Sequence, residues 1–278
     1  MYSGAYLHHQ KNKMEIAGYI ASLIIGLSLG LIGGGGSILT VPVLVYLFKI
    51  DPILATAYSL FIVGATSLVG AIPKYKNGEI NIKTAVIFGI PSIIAVYLTR
   101  AFLVPAIPSH IFNIGSFEVT KSLLMMILFA LLMLFASISM IREKKQESNV
   151  EEKQVFNYPM ILLEGLVVGT LTGLVGAGGG FLIIPALVIF SKLPMKQAIG
   201  TSLLIIAAKS LIGFTGDLGK QIMDWTLLLS ITSLAIVGIF IGNRFSKKIS
   251  AESLKKGFGW FVLVMGVYIL IKEIFFNN

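Results

Sequence analysis

Apolar residues in this chain run in long blocks broken by short polar or glycine-rich interruptions. The blocks span 16–32, 53–72, 84–104, 122–141, 160–175, 198–214, 225–241 and 258–271. A helix needs about 20 apolar residues to cross a hydrocarbon core of roughly 30 Å. The pattern therefore predicts an all-α polytopic membrane protein with about eight membrane helices. Two shorter blocks, 38–48 and 181–190, each follow a glycine cluster. At about 1.5 Å per residue they reach only part-way across a bilayer. They are expected to be half-helices that turn the chain back; the alternative is a kinked continuation of the preceding helix. The first block could be taken for a signal peptide, but it runs into Gly33–Gly36 without an A-x-A site and is kept as a mature helix.

The chain also repeats itself at an offset of 143. Gly30-Leu-Ile-Gly-Gly-Gly-Gly-Ser-Ile-Leu-Thr-Val-Pro42 aligns with Gly173-Leu-Val-Gly-Ala-Gly-Gly-Gly-Phe-Leu-Ile-Ile-Pro185, and residues 30–70 carry 18 identities over 41 positions. This divides the chain into a first transmembrane repeat (15–141), a charged linker (142–157) and a second repeat (158–275). Ser22, Gly26 and Gly30, matched by Gly165, Gly169 and Gly173, place small residues on one helix face. The two repeats are expected to pack together there.

Lysine and arginine favour the cytoplasmic side. The linker holds Arg142, Lys144, Lys145 and Lys153 and the 244–256 segment is strongly basic, so both are expected inside. In the first repeat 74–83 is basic and 105–117 has no Lys or Arg; in the second, 215–224 holds Asp217 and Asp224 against Lys220. Equivalent loops thus prefer opposite sides, the charge signature of inverted-topology repeats. Lys192 and Lys196 fall inside under this arrangement, whereas Lys11 and Lys13 fall outside, against the rule. The side of the N-terminus stays open.

Composition narrows the class further. Of 278 residues, 56% are hydrophobic and 13% charged, and mean hydropathy is +0.89. Soluble domains carry nearer a quarter charged residues. The net charge of +9 is clustered, not spread over a continuous basic face, so nucleic acid is not an expected partner. The expected partners are a small anionic substrate and the lipid bilayer; a homodimer is left open. With no cysteine, and no histidine in a long apolar run, neither a metal nor a cofactor is expected. Gly26-Leu-Ser28-Leu-Gly30 fits G-x-S-x-G but lies in an apolar helix, not a strand–turn–helix, so no enzyme is read from it. The glycine clusters do not form a P-loop.

Candidate chemistry gathers at the glycine breaks. Broken backbone inside a membrane must be buried in protein or line a wet cavity, and transporters place substrate at such breaks. A helix starting at Ser37 or Gly180 would aim unshielded N–H groups and its positive dipole end at an anion. The candidate substrate-binding residues are Gly33, Gly34, Gly35, Gly36 and Ser37 with Gly176, Gly178, Gly179 and Gly180. Hydroxyls at matched places join them: Ser59, Ser67, Thr201, Ser202 and Ser210, with Thr66 nearby. Each could instead bond back to its own helix. Lys209 stands in the apolar run SLLIIAAKSLIGF, where a charge is costly and a functional candidate; the alternative is a side chain snorkelling to the interface. Glu164 is the candidate for proton coupling, while Asp217 and Asp224 are expected in a solvated loop.

The paired motifs with Pro42 and Pro185, the downstream Ala198-Ile-Gly-Thr-Ser202 and the 216–225 stretch resemble the sulfite exporter TauE/SafE family of membrane permeases, over about 16–275. The resemblance implies transport of small sulfur-containing anions (sulfite, sulfonates or organosulfur carboxylates) across the bacterial cytoplasmic (inner) membrane, by a multi-pass secondary transporter. Exporters are best known in that family and some members import. Tyr58 departs from the second repeat's Thr201 and removes one hydroxyl. The alternatives to an exporting carrier are a passive anion channel or an importer of the same substrates.

Overall fold

The structure, a computed structural model, describes residues 3–114, 117–142, 158–189, 191–246 and 251–275. Residues 143–157, nearly all of the expected linker, and 247–250, with Lys247 and Lys248, lie outside the described residues.

Helix α1 (Ser3–Ile32) runs into the first glycine cluster, where Gly33 takes a left-handed φ of 74°. A tight 3₁₀ segment follows from Gly33 to Leu39, then a helical turn α2 (Thr40–Pro42) and a π turn (Val43–Leu47). This segment doubles back along α1. A Cβ on Gly36 would overlap Ser28 and meet the Leu29 nitrogen, and the Phe48 ring lies on Gly18 and 5.4 Å from the Tyr19 ring. In a helix continued through a kink, residues thirty apart could not touch, so the first short block is a returning segment. It does not start a helix at Ser37 as expected; a 3₁₀ helix already begins at Gly33. Tyr46 anchors its far end, donating to Glu273 Oε1 at 2.8 Å.

Helix α3 (Pro52–Lys76) begins where Asp51 accepts from the Ile53 and Leu54 amides and Pro52 supplies the first helical φ. Asn81 caps α4 (Ile82–Leu98) in the same way, through Thr84 N. A π turn (Thr99–Leu103) and a short α5 (Val104–Ala106) end this stretch. Strands β1 (His110–Ile114) and β2 (Phe117–Thr120) form an antiparallel hairpin that periodicity did not predict. It lies between apolar blocks and leaves the chain all-α in its membrane part. Helices α6 (Lys121–Arg142), α7 (Tyr158–Val175), α8 (Gly180–Ile189), α9 (Met195–Thr215), α10 (Trp225–Phe245) and α11 (Ala251–Phe275) complete the chain. Among the described residues, seven helical stretches are long and apolar enough to cross a membrane; α7, apolar from Pro159 to Val175, is shorter. Large apolar side chains such as Phe135, Val264 and Phe102 point outward, as lipid-facing positions do.

The packing repeats as the sequence does. The first repeat's α1 lies on α10 of the second, and α7 of the second lies on α4 of the first. Gly26 meets the Ala235 backbone and Gly30 meets Asn243 N, while Gly169 meets Ser92 and Gly173 meets Thr99. The two small-residue stripes therefore do join the repeats, each against a helix of the other half and not against one another. Helices α3 and α9 cross antiparallel: Gly64 faces Leu211, Gly70 faces Leu203 and Gly213 faces Leu60. Lys49 and Lys192, an offset of 143 apart, both take left-handed φ, 58° and 49°. The likeness thus extends to backbone conformation.

Candidate functional site

The two glycine breaks meet at the α3–α9 crossing. Gly34 and Gly180 touch backbone to backbone, so closely that a Cβ on either would overlap the other. Gly178 lies against Val63 of α3, Ser37 of the first break and Ile206 of α9. All of Gly33, Gly34, Gly35, Gly36 and Ser37 are buried, as are Gly176, Gly178, Gly179 and Gly180. The second break is the more irregular: Gly176, Gly178 and Gly179 have φ of 71°, 64° and 65°. Glycine adopts that region without the steric cost a side chain carries. Helix α8 starts at Gly180, where the sequence placed it, and Gly179 O accepts from the Leu182 and Ile183 amides.

Lys209 is fully buried and donates to Thr172 Oγ1 at 2.9 Å. Its Nζ lies 2.8 Å from the point where a Cβ on Gly179 would stand. It does not snorkel; α9 holds it against the second break. Thr66 occupies the equivalent position in the first repeat, so the positive charge belongs to one half alone. Around the crossing, Ser59, Thr66, Ser67 and Ser210 are buried with hydroxyls that lack a hydrogen-bond partner. A buried hydroxyl without a partner costs on the order of 1–3 kcal/mol. These four lie on α3 and α9, the helices that cross where the two breaks meet.

Other candidates already have partners or lie at the surface. Ser202 Oγ donates back to Ile199 O at 2.8 Å, and Ser37 Oγ to Gly34 O at 2.7 Å. Thr201 Oγ1 accepts from Asn81 N at 2.9 Å and so ties α9 to the start of α4. Glu164 is partly exposed on α7, within the run Leu162–Val167 whose other apolar members face outward. Ser28 of the G-x-S-x-G match donates to Ile25 O inside α1.

Asp224 caps α10 and is exposed, as expected. Asp217 is not in a solvated loop: it is 6% exposed and accepts from Arg100 Nε at 2.6 Å. Arg100 was missed from the sequence, although a lone charge late in the 84–104 apolar block carries the same signal as Lys209. Glu273 is a second buried carboxylate near the end of an apolar block, 4% exposed.

The sulfite exporter TauE/SafE family model matches residues 19–269. A probable membrane transporter protein of Xylella fastidiosa (strain 9a5c) is 29% identical over 252 residues, 89% of this chain and 91% of that protein. The probable membrane transporter protein YdhB of Bacillus subtilis is 26% identical over 255 residues, 90% of this chain and 98% of that protein. MJ0441 of Methanocaldococcus jannaschii, also called a probable membrane transporter protein, is 27% identical over 266 residues, covering 91% and 94%. No solved structure matches this chain.

Proposed function

This chain belongs to the sulfite exporter TauE/SafE family and is a multi-pass membrane transporter, and from that premise we propose that it exports small sulfur-containing anions as a secondary carrier. The anion sits where the glycine breaks meet, beside Lys209. The observation that carries this reading is the fully buried Lys209 ammonium, with no carboxylate hydrogen-bonded to it among the described residues, on the crossing helix pair that also bears four unpartnered hydroxyls. An isolated buried cation is costly unless a counter-charge arrives, and a sulfite or sulfonate supplies both the charge and acceptor oxygens for Ser67, Ser210 and Thr66. Ser59, Gly178, Gly179 and Gly180 frame the same place.

The antiparallel α3 and α9 support an inverted arrangement of the two repeats, and with it alternating access. Each outer pair, α1 with α10 and α7 with α4, joins helices from both repeats and can rock as a unit about the crossing. An inside-negative potential favours exit of a monoanion by about 2.3 kcal/mol per 100 mV, so export into a lower concentration needs no ATP. The chain is read as resident in the bacterial cytoplasmic membrane.

Purified protein in proteoliposomes tests this. Saturable flux of sulfite or a short sulfonate, competition among such anions and counter-flow are expected. Absence of both flux and competition overturns the reading. Flux that never saturates and shows no counter-flow replaces the carrier with a passive channel.

A further inference from the structure

Arg100 lies in the π turn at the end of α4, and its side chain is fully buried. Nε donates to Asp217 Oδ2 at 2.6 Å; Nη1 donates to Thr56 Oγ1 at 2.9 Å and to Gly173 O at 3.2 Å. Nη2 has no partner. Nε and Nη2 form one edge of the guanidinium, a pair of parallel donors that two oxygens of one oxyanion can span. Asp217 occupies half of that edge.

The surroundings carry more positive than negative charge. Lys121 of α6 is buried beside the pair, and Lys220 donates to Arg100 O at 3.1 Å and Ala101 O at 2.7 Å. Three cations thus act on Asp217, with Asp51 acting on Lys121 from the cap of α3. Asp217 sits in the turn joining α9 to α10, between Gly216 and Gly219, and Gly219 has open space around it. The repeat offers no copy of this edge: position 243, equivalent to Arg100, is an asparagine, whose amide is also buried without a partner. Asn243 lines an open recess with Ile72, Pro73, Lys76 and Phe240.

We propose that the Nε–Nη2 edge of Arg100 is a second anion site, at the end of α4, where a small oxyanion takes the place of Asp217. The carboxylate of Asp217 stands in for the ligand when none is bound. Exchange of one anion for another keeps the guanidinium paired, and a sulfonate, sulfite or carboxylate headgroup satisfies the donor that Asp217 leaves empty. The proposal rests on the transport reading, in which such anions reach this protein, but uses residues distinct from the Lys209 group.

The test measures methanesulfonate binding to the full chain in detergent, through the anion-dependent rise in melting temperature, alongside sulfite flux in proteoliposomes. Asp217→Asn removes the competing negative charge from the edge and is expected to tighten methanesulfonate binding about tenfold. Arg100→Gln with Asp217→Asn removes both charges of the pair, so neither is left as an unpaired ion, and is expected to lose that gain. Arg100→Lys, which has no planar edge, recovers less than a third of it. A purely structural pair would shift the melting temperature of each variant without changing its response to the anion, and that result overturns the proposal. Unchanged flux and KM in every Arg100 and Asp217 variant overturns it too while leaving the transport reading intact. No flux from the unaltered protein defeats the transport reading itself.

Discussion

Hydroxyls that look equivalent in the sequence separate once their partners are known. Ser202 is satisfied by Ile199 O, whereas Ser210 and Ser67 have no partner. Ser202→Ala is therefore expected to keep transport KM within twofold. Ser210→Ala or Ser67→Ala removes a donor to a charged guest, worth about 1.5–3 kcal/mol, and should raise KM by at least tenfold; initial-rate flux over a substrate range measures the difference. Lys209→Met should abolish saturable flux while the protein stays monodisperse, because methionine fills the same volume without a buried charge. Asp217 makes a pH prediction. Burial pushes its carboxyl above the ordinary 3.8, against the lowering pull of Arg100, Lys220 and Lys121. A carboxyl raised in the folded state binds its proton more tightly folded than unfolded. Stability from this group is thus gained as pH falls towards the unfolded value and lost as pH rises through the folded one. Melting temperature followed through the acidic range should show that slope, and Asp217→Asn should flatten it. The buried state of Asp217 could not be read from the chain, since its partner Arg100 lies 117 positions away.

Close helix packing is the property the small-residue stripes encode at the next scale. A side chain on Gly26 would enter the Ala235 carbonyl, and one on Gly169 would meet Ser92 and Ala95. Gly26→Leu or Gly169→Leu should cost about 1–3 kcal/mol or more, seen as a lower melting temperature and loss of a single elution peak. Gly257→Leu, with no atom within 4 Å of a Cβ there, should leave both unchanged. The stripe was legible because a period of four marks one helix face, but which helix covers it was not. The same limit applies to Gly200, whose bare backbone lets the Glu79 carbonyl sit against the start of α9. The β1–β2 hairpin escaped notice because two strands of five and four residues leave little periodic signal.

For the whole molecule, the testable consequence is sidedness. The turn after α3 and the turn after α9 lie at opposite ends of the antiparallel α3–α9 pair. Asn77 and Ile222 are both exposed there, and the chain has no cysteine to interfere. In intact cells an impermeant maleimide should label Ile222→Cys, and Asn77→Cys only after permeabilisation; labelling of both from one side would contradict inverted repeats. The membrane class, the apolar blocks, the duplicated halves and the glycine breaks were all readable from the chain alone. They rest on local composition, on 3.6-residue periodicity and on self-similarity, none of which needs a partner in space. Tertiary structure alone decided which buried polar groups are satisfied, that Lys209 faces the second break, and that Arg100 meets Asp217. Hydrogen bonds and ion pairs reach only about 3 Å, so they depend on which distant segments the fold brings into contact.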